Sequence, residues 1–204
     1  MKVAILDNGY SFHHRFFQME EFAYMYDDVL QIRQLHTYDL SQYDTLIVND
    51  RMSLLLLKRY QSYFIKFLQE GKRLVVFGEV LDNWLPGVYW ENSEVNFSWW
   101  VKEHGDLPLT ANNIDHPLYQ YVCLSDMKWH YHGTFKVPEG AKSLVDTPDG
   151  RSIIYTDDLS YNGELVITTL DPIFHIGLGF IDQSKPFLHG MAKWLKKEVR
   201  ERTS

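Results

Sequence analysis

Three short apolar runs, each stopped by a polar turn, constrain the fold of this 204-residue chain more than any other feature. Val3-Ala4-Ile5-Leu6 ends at Asp7-Asn8-Gly9, Thr45-Leu46-Ile47-Val48 at Asn49-Asp50, and Leu74 to Phe77 at Gly78-Glu79. A strand with apolar side chains on both faces must be covered on both, as in a parallel sheet flanked by helices. The intervening segments supply those helices. Apolar residues recur at helical spacing at Phe16, Met19, Phe22 and Ala23 within 12–26. They do so again at Leu56, Tyr60, Phe64, Phe67 and Leu68 within 53–69, where Gly71 is the stop signal. Residues 29–35 read as one more, less regular strand. The pattern predicts an α/β fold, a flavodoxin-like three-layer sandwich around a mostly parallel sheet. In such sheets ligands sit outside the carboxyl ends of the strands, which makes Asn8, Asp50 and Glu79 candidate site residues.

The second half changes character. Residues 81–104 carry Trp84, Tyr89, Trp90, Phe97, Trp99 and Trp100 with little periodicity, which predicts an aromatic-rich insertion. Strand patterns follow at 127–132, 142–146, 152–156 and 164–170, with turn signals at Pro148-Asp149-Gly150 and Asn162-Gly163. The first of those turns predicts a β-hairpin. Residues 186–199 read as a closing helix with Phe187, Met191, Trp194 and Leu195 inward. No repeat or flexible linker interrupts the chain, so a single domain over 1–204 is expected.

Composition excludes several classes. The net charge is -7 and the basic residues are scattered, whereas a nucleic-acid surface needs clustered Lys and Arg to neutralise phosphates. No apolar run is long enough to span a membrane, and the first residues lack the apolar core of a signal peptide. Cys123 is the one cysteine, so no intramolecular disulfide can form. A cytoplasmic protein is the expectation.

Leu74 to Val80, Ile114-Asp115-His116-Pro117-Leu118, and Glu164 to Pro172 before a final helix resemble the class I glutamine amidotransferase-like superfamily, and within it the trehalose-utilisation (ThuA-like) branch. The resemblance implies the flavodoxin-like fold, and it places the superfamily's catalytic histidine after a late strand, at His175. It also implies a cysteine on the turn after the fourth strand, and there this chain departs, with Glu79 in that place. Cys123, between Val122 and Leu124, has no such turn around it and reads as an inert packed thiol, so glutamine hydrolysis is not expected.

Four groups could carry chemistry. Glu79 at a strand end could serve as acid or base in a half-dry cleft, or could accept backbone N–H groups from a following helix start. Asp171 and His175, in Asp171-Pro172-Ile173-Phe174-His175, either join it as catalytic partners or form a capping pair. His130 and His132, two apart on an expected strand, point to one face and are candidate ligands for a divalent metal. A third ligand would come from His116, Asp115, Asp171 or His175. The belt containing Trp84, Trp99 and Trp100 could stack on a sugar, form a homo-oligomer interface, or fill a local core. Two functions stay open: an enzyme acting on a small polar ligand such as a carbohydrate, by hydrolysis or isomerisation, or a non-catalytic binding and assembly module.

Overall fold

A computed structural model describes residues 2–94, 96, 97, 99 and 102–202, with side chains to residue 196. Five strands form a parallel core in the order β2-β1-β3-β4-β10: β1 (Val3–Asp7), β2 (Asp28–Gln31), β3 (Thr45–Val48), β4 (Arg73–Phe77) and β10 (Glu164–Thr168). The order of the first four is the flavodoxin-like one. Beyond β10 the sheet continues with antiparallel neighbours: β9 (Ser152–Asp157), β7 (Gly133–Lys136) and β5 (Tyr89–Asn92). Strand β8 (Lys142–Asp146) also pairs with β9, and the two-residue β6 (Thr110–Ala111) pairs with β8. The expected fold class is what the structure shows, in one ten-stranded sheet.

Alternation along the central strands sends side chains to two cores. Val3, Ile5, Val75, Phe77 and Val166 meet α1 (Ser11–Phe17), α4 (Pro172–Leu178) and α5 (Ser184–Arg202). Ala4, Leu6, Leu74, Val76, Leu165 and Ile167 meet α2 (Leu54–Arg59) and α3 (Gln61–Gln69). Each fully buried Val, Leu or Ile contributes about 1.5–3 kcal/mol, so the two faces together dominate the stability of the fold.

Several elements differ from the sequence reading. The helix expected over 12–26 stops at Phe17 and resumes as a 3₁₀ turn, Glu20–Met25. The strand expected over 29–35 ends at Gln31 and passes into 3₁₀ turns, Ile32–Thr37. The helix over 53–69 breaks at Tyr60, a buried residue with φ -103° and ψ 14° whose hydroxyl donates to the Arg33 carbonyl. Residues 128–132 are irregular rather than a strand. The side chain of Asn96 bonds both the N–H and the carbonyl of Tyr131, taking the place of a neighbouring strand. Helix α4 was not expected, although Pro172 in its first turn and Gly179 at its left-handed end (φ 81°) are its two signals.

The aromatic belt divides. Trp84 is 1% exposed and packs edge-on against Phe64 at 5.5 Å, so it belongs to the core and offers no face to a sugar. Trp90 packs on Phe135 in the strand pair β5–β7. Tyr89 and Phe97 are exposed, and Trp100 lies outside the described residues.

Candidate active site

The carboxyl ends of β3, β4 and β10 deliver Asp50-Arg51, Gly78-Glu79 and Asp171 to one place. Gly78 makes this approach possible. It has φ 82°, and a Cβ there would stand 3.1 Å from the Asp50 Cβ. Its N–H donates to the carbonyls of Thr168 and Leu170, which ties the end of β4 to the end of β10.

Asp50 is completely buried, and its carboxylate accepts the N–H groups of Ile173 and Phe174 in the first turn of α4. The alternative for Glu79, accepting N–H groups from a helix start after it, meets no α-helix there: the 3₁₀ residues Leu81–Asn83 follow. Burial, and then the charge on Asp171, push the Asp50 carboxyl well above the usual carboxylate range.

Arg51, with φ 54°, is the residue that sequence reasoning missed. Its Nη2 and Nε donate to Asp171 Oδ2 at 2.7 and 3.1 Å, its Nη1 donates to Glu79 Oε1 at 3.3 Å, and Nη2 lies 2.8 Å from His132 Nε2. A guanidinium has five donors in a fixed fork, which is why one side chain can organise three acceptors. The only signal in the sequence was its place, directly after the Asn49-Asp50 strand end.

Asp171 uses both oxygens. Oδ2 faces Arg51, and Oδ1 lies 3.1 Å from His175 Nε2. Burial opposes its charge, yet contacts from His132 and His175 and the guanidinium outweigh burial and hold its carboxyl well below the ordinary range. His175 Nε2 is also 3.2 Å from His130 Nε2. Burial lowers His130 to about 4, only partly offset by Asp171, so its imidazole is neutral near pH 7. The Nδ1 atoms of both rings are buried without a protein partner.

Arg51 and Asp171 thus link Glu79, His132, His175 and His130 into one run of contacts. The side chains of Glu79, His132 and Arg51 are 27%, 22% and 30% exposed, and those of Asp171 and His175 are 2%. Chemistry that meets solvent belongs to the first three. Phe97 covers the histidines, its ring centroid 4.7 Å from His130 and 5.5 Å from His132. Among the described residues, a crevice of about 40 Å³ opens between Arg51 and Glu79, with Trp84 at its base.

Other candidates lie elsewhere. Asn8 is buried, with Oδ1 accepting the Ser53 N–H, and His13 joins Asn8 N–H to the Asp50 carbonyl; both brace the strand ends. His116 caps the turn Pro117–Gln120 and packs on Trp194, so it stands with α5 rather than with the cluster. His132 shares Nε2 with a guanidinium, which leaves that nitrogen unsuited to a cation. Cys123 is exposed, not packed, and begins the turn Leu124–Met127. Trp99 donates through Nε1 to the Trp129 carbonyl. The two tryptophans line a cleft of about 850 Å³ with Asp106, Lys128, Asp182 and Gln183. Trp129 connects this larger cleft to the cluster, its ring 5.1 Å from that of His175.

No protein-family model and no curated protein sequence matches this chain. Solved structures do. The chain is similar to a protein from Thermoplasma acidophilum named as a GMP synthase component, with TM-score 0.62 and 10% identity over 100% of this chain and 98% of that one. A glutamine amidotransferase from Thermotoga maritima gives 0.61 and 8% over 98% of each. A cytoplasmic protein of Salmonella typhimurium LT2 gives 0.53 and 13%, over 93% of this chain and 97% of that one. At these identities the likeness is one of fold: the chain has a glutamine amidotransferase-like architecture.

Proposed function

We propose that this amidotransferase-like domain has exchanged glutamine hydrolysis for acid–base chemistry on a small polar ligand at the carboxyl ends of its parallel strands. The observation that carries the reading is the continuous set of contacts from Glu79 through Arg51 to Asp171 and His175. Glu79 is the solvent-facing carboxylate and acts as acid or base. Arg51 orients it and holds the charge of Asp171, which in turn fixes His175. The crevice at Arg51 and Glu79 has room for a water-sized group, so a ligand would put its reacting group there and its body over Phe97. Glutamine hydrolysis has no nucleophile in this scheme, because the residue after Gly78 is Glu79 and the thiol of Cys123 begins a surface turn.

The test is a panel of p-nitrophenyl glycosides and esters, with glutamine as a separate substrate. We expect no ammonia from glutamine. At least one chromogenic substrate should turn over, falling about 100-fold in Glu79→Gln, as for loss of a general acid or base. Turnover indifferent to Glu79→Gln, or ammonia release from glutamine, would sink the reading.

One observation favours a second reading, a binding module of the same fold without catalysis. The cleft of about 850 Å³, with Trp99 and Trp129 beside polar groups, suits a carbohydrate, and Glu79 is not among the residues that line it. Tryptophan quenching by monosaccharides, abolished in Trp99→Ala with no accompanying turnover, would select it. The exposed Tyr89 and Phe97 would then be the first places to look for self-association.

A further inference from the structure

We propose that His130, Asp171 and His175 bind one divalent transition-metal ion. The three ligand atoms all lie within 4.8 Å of one another and all three residues are buried; Asp171 and His175 stand four apart at the start of α4, and His130 joins them from elsewhere in the chain. His175 Nε2 is 3.2 Å from His130 Nε2 and 3.1 Å from Asp171 Oδ1. Ligand atoms around a tetrahedral ion with bonds of about 2.0–2.1 Å stand about 3.3 Å apart, which matches the two separations measured from His175 Nε2. Without a cation, a proton on His175 Nε2 has two acceptors to serve, Asp171 Oδ1 and His130 Nε2.

Charge points the same way. Glu79 and Asp171 share the guanidinium of Arg51, so with both ionised these three groups carry one negative charge in excess. A divalent cation offsets that excess. The division of Asp171 matters here as well: Arg51 holds Oδ2, which turns Oδ1 toward the histidines and leaves it as the ligand atom. Two imidazoles and one carboxylate, with no thiolate, suit zinc, cobalt, manganese or ferrous iron rather than a soft ion. The inference concerns the same place as the proposed acid–base chemistry but does not depend on turnover.

The affinity should be moderate. A metal on Nε2 leaves Nδ1 as the protonated nitrogen, and neither Nδ1 has a protein acceptor. Absence of such outer partners costs about 10–100-fold in affinity.

The experiment is titration of the chelator-treated full-length protein with Co²⁺ and then Zn²⁺, read by visible absorption and by ¹⁵N shifts of the histidine rings. We expect one equivalent of Co²⁺ with the intense bands of a low-coordinate site, displaced by Zn²⁺, and shifts at His130 and His175 Nε2. His130→Ala and His175→Ala should weaken binding at least about tenfold, and His116→Ala should leave it unchanged. Folded wild-type protein that takes up no stoichiometric Co²⁺ at millimolar concentration overturns the proposal. So does uptake that leaves the His130 and His175 rings unshifted, a result readable in the wild type even where an alanine variant does not fold. Metal binding without substrate turnover would leave this inference standing while removing the acid–base reading.

Discussion

Arg51 and Asp171, 120 residues apart in the chain, meet through Nη2 and Oδ2 at 2.7 Å. The guanidinium is 30% exposed and the carboxylate 2%, so the ion pair reaches from the rim of the site to its floor. Removing the cation leaves a buried carboxylate to the histidines alone. Arg51→Ala should lower stability by about 2 kcal/mol, below the usual cost of breaking a fully buried pair because one member is partly solvated. Arg51→Lys keeps the charge but loses the fork, and should still cost about 1 kcal/mol. Urea unfolding distinguishes the two; equal stability of wild type and Arg51→Lys would show that the fork geometry contributes nothing.

At the opposite end of the same strands, Arg73 and Glu164 are register partners across β4 and β10, with Nη2 and Oε2 2.6 Å apart. Both side chains are buried, so Glu164→Ala takes the carboxylate away from a guanidinium in the core. A loss of about 3–5 kcal/mol is expected, larger than for Arg51→Ala. Thermal unfolding of the two variants side by side gives the order, and the reverse order would contradict the burial argument.

Gly177 sets how closely α4 rests on α1. A Cβ there would come within 2.2 Å of the Phe12 carbonyl oxygen, a backbone atom that cannot rotate away. Gly177→Ala should cost about 1–3 kcal/mol and displace α4, with His175 on it. The test is double: a lower melting temperature, together with a changed near-ultraviolet signal from the Trp129–His175 contact. A stable variant with an unchanged signal would mean that α1 and α4 separate freely.

His130 gives the acid limb of the stability profile a specific contributor. Its folded value of about 4 lies below the ordinary histidine value, so the unfolded chain binds the proton more readily. The stabilisation is complete above about pH 6.5 and is lost as pH falls toward about 4, by about 1–2 kcal/mol between pH 7.5 and 5. Asp50, raised by burial, contributes in the opposite direction, so the comparison to make is wild type against His130→Gln. The difference in unfolding free energy between the two should narrow as pH falls; a constant difference would contradict a neutral His130.

The parallel core was legible because its strands obey a local rule: Val3 to Leu6, Thr45 to Val48 and Leu74 to Phe77 are apolar on both faces and end in polar turns. The irregular segment at 128–132 was not, because its backbone is satisfied by Asn96, more than thirty residues away. The same contrast runs through the site. Strand-end position was enough to single out Asp50, Glu79 and Asp171. Arg51 escaped because nothing local distinguishes an arginine that will hold three partners from one on the surface. His132 and His130 share a spacing yet take different neighbours, Arg51 for one and His175 for the other, a difference that arises only from partners distant in sequence.

Strand β10 is the last to be made and lies at the centre of the sheet, between β4 and β9. During synthesis β1 to β4 can pair with one another long before β10 emerges, but they then expose an open edge at β4. Asp50 and Glu79 reach their positions early, each without the histidine or helix that will later surround it. The charge cluster is thus closed by the final third of the polypeptide, in the same event in which β10 covers the edge of β4 and joins the two parts of the sheet.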